Sequence, residues 1–312
     1  MTFVIRRFLV TIPVLVLVTV MTFSLIHLIP GDPATVILGQ EATPGAKAAL
    51  RHQLGLDRPA PIQYVSWVWG VAHGDLGNSL TDRTPVSTEI IQRLPVTVEL
   101  AIGAFLVAIF LAIPLGILSA LNRGRFLDYI AMLFAFGGMS IPPFWLAIMF
   151  ILFFAVRLHW FPASGYVPLL QNPRANLAAM AMPMVATGIR EAAVLMRLLR
   201  SSLLETLSQD YIRTARSKGI RRWAVILKHA VRNALIPVVT ASGLTIAGLL
   251  GGIVITETVF SLPGFGRLIV EAVYQRDFVT VQGAVLVSAL FVIAVNLVVD
   301  VSYAFLDPRI KL

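Results

Sequence analysis

The sequence predicts an all-helical membrane protein with six transmembrane helices. Two observations carry that prediction. Of the 312 residues, 57% are hydrophobic and 13% charged, and the mean hydropathy is +0.84, whereas soluble domains carry about a quarter charged residues. Six stretches are also long enough to cross about 30 Å of hydrocarbon, which takes roughly 20 mostly apolar residues per helix. In such a chain a net charge of +9 reads as Lys and Arg collected in cytoplasmic loops, not as a nucleic-acid surface. The absence of cysteine excludes disulfides, thiolate catalysis and Cys-based metal sites.

The first span is Phe8–Ile29, uncharged and preceded by Arg6-Arg7. Its apolar run is too long for a signal peptide and no small-x-small cleavage site follows, so it reads as a retained helix. Leu100–Leu121 and Ile130–Val156 follow, joined by the basic turn Asn122-Arg-Gly-Arg125. Ile141-Pro-Pro143 must break or kink the third span, because proline removes a backbone donor and clashes with the preceding turn. The fourth runs from about Ala175 to Leu199, interrupted by Arg190-Glu191. The fifth covers about Ala234–Phe260 and the sixth about Val279–Leu306.

An even number of spans puts both termini on one side. That side collects Arg6, Arg7, Arg123, Arg125, the segment Arg197–Arg232, Arg309 and Lys311. Basic loops mark the cytoplasm, so both termini are expected there. Residues 30–95 then form an extracytoplasmic layer. It mixes charges almost evenly and carries turn signals at Pro30-Gly-Asp-Pro33 and His73-Gly-Asp-Leu-Gly77. Amphipathic stretches such as Pro61–Trp69 make it partly helical. Trp67 and Trp69 fit an interfacial anchor, packing within the layer, or a partner-binding face.

Enzymatic readings find no support. There is no GxxxxGK[ST] loop for nucleotide phosphates and no His-Glu-x-x-His. The five histidines (His27, His52, His73, His159, His229) are scattered, which fits loop or interfacial residues better than ligands. Ser140 and Ser242 have no His or Lys base on a neighbouring turn and fit small residues at helix contacts. No catalytic residue, metal site or cofactor is expected in this chain.

The informative segment is cytoplasmic. Between Arg197 and Arg232 nine basic residues face two acids, Glu205 and Asp210. Ser208 and Asp210 offer a helix start and Gly219 a left-handed stop. On the helix between them Ile212, Ala215 and Gly219 share one face, small enough for a partner's backbone to approach. Contact with anionic lipid is the competing use of such a basic segment.

Asp210-Tyr-Ile-Arg-Thr-Ala-Arg-Ser-Lys-Gly219, followed by Lys228-His-Ala-Val-Arg-Asn-Ala-Leu-Ile-Pro-Val-Val-Thr240, resembles the coupling loop of permease subunits of ABC importers for di- and oligopeptides. Arg213-Thr-Ala215 stands where the general importer form has Glu-Ala-Ala. Pro30-Gly-Asp-Pro33, Leu54-Gly-Leu-Asp57, Gly74-Asp-Leu-Gly77, Thr97-Val-Glu-Leu100, Thr256-Glu-Thr-Val-Phe260, Pro263-Gly-Phe-Gly-Arg267, Asn296-Leu-Val-Val-Asp300 and Asp307-Pro-Arg-Ile310 extend the likeness to that family's B-type permease over the whole chain.

The resemblance implies a type I ABC importer permease fold in a bacterial plasma membrane. Residues 1–29 form the cytoplasmic tip and first helix, and 30–95 the external layer. A five-helix core occupies 96–306 with the coupling loop at 200–232, and 307–312 form the tail. The implied partners are a second, homologous permease, two ATPase subunits that bind ATP and Mg, an extracytoplasmic solute-binding protein, and membrane lipid. Asp210, Tyr211, Thr214, Ala215, Lys218 and Gly219 would couple to an ATPase. Glu257 and Asp300 match family positions, with packing and ligand roles both open. Arg190 and Glu191, charged at membrane depth, would pair with the second permease, sit near the cytoplasmic exit, or line the path; the first is the expectation here. A secondary transporter or channel would show inverted repeats or several buried ionisable residues, and neither is detected. Dipeptide, oligopeptide, glutathione and nickel-chelate importers share these motifs, so the substrate stays open.

Overall fold

The structure is a computed structural model that describes residues 2–27, 33–39, 41–53 and 55–306. The turn at 30–32, Leu54, the end of the first span at Leu28-Ile29 and the tail 307–312 lie outside the described residues, as do the side chains of Arg6, Arg7 and Asp300. The described chain is helical almost throughout, and its pairing of extended backbone is a single bridge, Asn78 to Pro85.

Helix α1 (Thr2–His27) leads into three short helices, α2 (Pro33–Leu38), α3 (Pro44–Gln53) and α4 (Ala60–Ala72). The layer predicted after the first span is therefore partly helical. Phe23 of α1 meets Tyr64 and Trp67 of α4 at ring distances of 5.4 and 6.0 Å. Trp67 thus packs against α1, while Trp69 is 69% exposed and its ring lies 4.5 Å from that of His73.

Helix α5 (Val86–Leu121) starts well before Leu100 and runs through Pro95 and Pro114. Hydropathy fails near its start because Glu89, Arg93 and Glu99 are charged. Each finds a partner there: Thr84, Glu271, and Tyr166 with Asn176. Helix α6 (Phe126–Ser140) and α7 (Pro143–Phe150, continuing as a π-helix over Ile151–Arg157) meet at a 103° bend on Ile141-Pro142. The expected break is thus a corner rather than a kink. Helix α8 (Pro173–Leu207) passes unbroken through Pro183, Arg190 and Glu191. The charges at Arg190 and Glu191 interrupt the apolar run but not the helix, since Arg and Glu are both good helix formers.

After α9 (Asp210–Ser217), a rod begins at α10 (Arg222–Ala224) and continues through a π-helical turn (Val225–Val231) into α11 (Arg232–Gly252). Then come α12 (Val254–Val259), α13 (Phe265–Tyr274) and α14 (Phe278–Leu306). By length and composition, four of these helices can cross a membrane: α5, α8, the α10–α11 rod and α14. The bent α6–α7 pair makes a fifth if it counts as one span, and α1 contributes a shorter apolar stretch, Thr11–Ser24.

The core is the contact of α5 with α8. Ala104, Ala108 and Ala112 have no exposed surface. At Gly188 a Cβ would lie 2.6 Å from the Ala104 carbonyl oxygen, so only glycine lets these backbones come this close. Small residues at helix contacts are how membrane helices associate without a hydrophobic drive between them.

Candidate functional site

Helix α9 emerges where α8 ends. Ser208 does not cap it: the hydroxyl donates back to the Glu205 carbonyl oxygen at 2.7 Å, and Gln209 precedes the helix with no side-chain cap. Gly219 stands just beyond it at φ 75°, the left-handed region that terminates a helix. A Cβ there would meet nothing of this chain within 4 Å, so within the chain its role is the turn.

The faces of α9 are reversed relative to the sequence reading. Ile212 is fully buried and Ala215 is 7% exposed, both in the hydrophobic cluster that includes Leu203, Val225 and Ile226. The small face proposed for a partner is occupied by this chain's own core. Spacing revealed one apolar face but not what covers it. Tyr211, Arg213, Thr214, Arg216, Ser217 and Lys218 are exposed. Tyr211 is held by Asn233 of α11, whose amide donates to its hydroxyl at 2.8 Å.

Above α9, Asp128 ties three helices together. Arg200 of α8 donates to its two carboxylate oxygens from Nε at 2.8 Å and Nη2 at 2.9 Å. Ser119 of α5 donates at 2.5 Å and the Gly124 amide at 2.9 Å. This bidentate pair, the strong geometry for an Arg–carboxylate contact, had no sequence signal, because its members are 72 positions apart.

The far end of the bundle carries a second set of ties. Glu257, for which the sequence leaves packing and ligand roles both open, has no exposed surface. It accepts from Thr97 Oγ1 at 2.5 Å and the Arg267 amide at 2.8 Å, and Thr97 also accepts from the Phe265 amide at 2.8 Å. In this chain Glu257 therefore fastens α5, α12 and α13. Asp277 accepts from Ser79 Oγ at 2.5 Å and the Leu80 amide at 3.0 Å, fixing the loop before α5 to the head of α14. Arg93 and Arg267 each reach Glu271 at 2.7 Å. Tyr166, in the loop before α8, donates to Glu99 at 2.8 Å. Burial first, then that carboxylate, push its phenol up to about 12, so it remains a donor at any physiological pH.

Arg190 and Glu191 sit side by side midway along α8. Arg190 is exposed and Glu191 half-buried, and among the described residues no ion pair includes either. Just above them the Thr187 and Thr256 hydroxyls are 3.1 Å apart.

These features define an all-helical membrane subunit with a short polar helix displayed beyond the end of its most tightly packed pair. Residues 112–312 match the family described as the binding-protein-dependent transport system inner membrane component, and residues 1–101 match that family's N-terminal region. The DppB dipeptide transport system permease protein of Alkalihalophilus pseudofirmus is 43% identical over 330 residues, covering 98% of each chain. The Escherichia coli K12 DppB is 40% identical over 333 residues, covering 99% of this chain and 98% of its own. Among solved structures, an amino acid ABC transporter crystallised with histidines superposes with a TM-score of 0.53 at 14% identity, over 69% of this chain and 92% of the other, a likeness of fold.

The chain belongs to the binding-protein-dependent permease family. It is a multi-pass permease subunit of a bacterial inner-membrane ABC importer, and not an enzyme: its partners are an ATPase subunit, where ATP is hydrolysed, and a solute-binding protein.

Proposed function

We propose that this permease moves di- or oligopeptides, or closely related small solutes, delivered by the extracytoplasmic binding protein. The near full-length identity to dipeptide permeases carries this reading. A second, homologous permease completes the path and two ATPase subunits drive it, with no cofactor held by this chain. Six spans, namely α1, α5, the α6–α7 pair, α8, the α10–α11 rod and α14, put both termini in the cytoplasm, in keeping with the basic residues on that side. The exposed Tyr211 and Thr214 of α9, with Lys218 just beyond it, dock in a groove of one ATPase, with Asp210 and Gly219 setting the ends of the helix and Ala215 holding it to the core. Closure of the ATPases then shifts the permease between two states.

Reconstitution with all partners in proteoliposomes is expected to give ATP-dependent dipeptide uptake, and the purified chain alone to give no ATP turnover. Turnover by the chain free of other subunits would refute the assignment. The topology has its own test. Cysteine placed at the exposed Thr81 should react with an impermeant thiol reagent on intact spheroplasts, and cysteine at the exposed Ser217 only after lysis. The reverse pattern would invert the orientation. Native cysteine is absent, so the subunit has no background.

A further inference from the structure

Depth along α8 can be read from the Asp128–Arg200 pair. Asp128 is the third residue of α6, directly after the basic turn 122–125, so the pair marks the membrane boundary on the α9 side. Arg190 lies ten residues earlier on the same unbroken helix, about 15 Å higher. That is half of the roughly 30 Å hydrocarbon thickness. A guanidinium exposed at mid-depth does not face lipid; such groups face a partner or a water-filled cavity.

The surrounding face decides between these two. Going down α8 from Thr187, the open side presents Arg190, Arg197, Ser201 and Glu205, with Glu191 at its margin and Val194 among them. This polar strip runs for about 27 Å along the helix. Elsewhere the long helices expose large apolar side chains at membrane depth, as at Leu106, Phe110, Leu133 and Leu244. Above Thr187 the same side is closed, with Asn176, Met180 and Pro183 buried. A single bond to a second permease would need one polar position. A strip spanning half the bilayer and open towards α9 suits water.

Arg190 and Glu191 also point about 100° apart and form no ion pair with each other, so at mid-depth one cation and one anion remain to be met. A zwitterionic peptide supplies both complements, whereas an acidic residue of a partner would satisfy the arginine alone. The geometry points to Arg190 and Glu191 as specificity-determining residues of the path, Arg190 meeting peptide carboxylates and Glu191 peptide ammonium groups. This rests on the peptide-import reading above.

The test uses the complete transporter in proteoliposomes and three dipeptides of similar size, Ala-Glu, Ala-Gln and Ala-Lys. Comparing each variant with the wild type for each peptide cancels any preference of the binding protein. Arg190→Gln is expected to slow Ala-Glu about tenfold more than Ala-Lys, and Glu191→Gln to do the reverse. Arg190→Lys should keep the wild-type order. Assembly and ATPase stimulation should be unchanged in all three. Equal slowing of every peptide, or loss of the assembled complex, would assign the pair to folding or to the second permease and overturn the inference. A wild-type transporter that moved none of the dipeptides would instead overturn the peptide reading, and the inference with it.

Discussion

Replacing Thr214 by tryptophan is expected to cut ATP-driven uptake by about tenfold or more while leaving the amount of folded chain unchanged. Thr214 is exposed on α9, and its hydroxyl does no more than donate to the Asp210 carbonyl oxygen one turn back, at 3.0 Å. Surface substitutions of this kind change stability by about 0.5 kcal/mol or less. If Tyr211, Thr214 and Lys218 form the face that enters the ATPase, an indole there holds the two proteins apart, and each 1.4 kcal/mol or so of lost docking is a factor of ten. Ala215→Trp makes the contrast. It forces bulk into a buried position, where overpacking costs about 1–3 kcal/mol, so it should lower the yield and melting temperature of the subunit itself. Uptake, ATPase stimulation and thermal unfolding in detergent, measured on both variants, separate the two effects. Wild-type uptake by Thr214→Trp would remove α9's exposed face from the coupling contact.

That contrast also marks what was legible in the sequence. Hydropathy located every long helix, because a run of apolar residues is a local property. It misplaced the ends. Val86–Glu99 is helical despite Glu89, Arg93 and Glu99, since helix formation there depends on partners supplied from other parts of the chain. The segment Asp210–Gly219 does form the short helix read from it, and Gly219 adopts the left-handed turn expected of it. Which face of that element is free did not follow from spacing, because Ile212 and Ala215 are equally suited to a partner and to this chain's own Val225 and Ile226. Glu257 illustrates the same limit. A carboxylate near a membrane is a functional candidate from sequence, and here its acceptor oxygens are taken by Thr97 and the Arg267 amide. The Asp128–Arg200 tie was invisible altogether, since nothing local distinguishes Asp128 from a solvated charge at a helix start.

Arg200→Ala is expected to be the most damaging single change described for this chain, costing about 3–5 kcal/mol, because removing one partner of a buried ion pair strands the other. Asp128 is 7% exposed at its side chain and Arg200 is 21%, so water offers the survivor little compensation. With Arg200 gone, Asp128 keeps Ser119 Oγ and the Gly124 amide, which satisfy oxygens but supply no counter-charge. The double variant Asp128→Ala/Arg200→Ala should then be no worse than either single variant, as expected for two residues acting as one unit. A strictly additive double variant would mean that the two side chains stabilise the fold separately. The clamp joins α5 and α6 to α8 less than two turns before α8 gives way to the segment that carries α9. Movement of α9 should therefore reach the bundle through Arg200. In variants mild enough to fold, such as Arg200→Lys, the planar bidentate contact is lost and a single charge contact remains. Uptake should fall more than thermal stability does, and ATP hydrolysis should persist with weaker stimulation by the loaded binding protein. Parallel loss of uptake and stability in Arg200→Lys would confine the clamp to holding the fold.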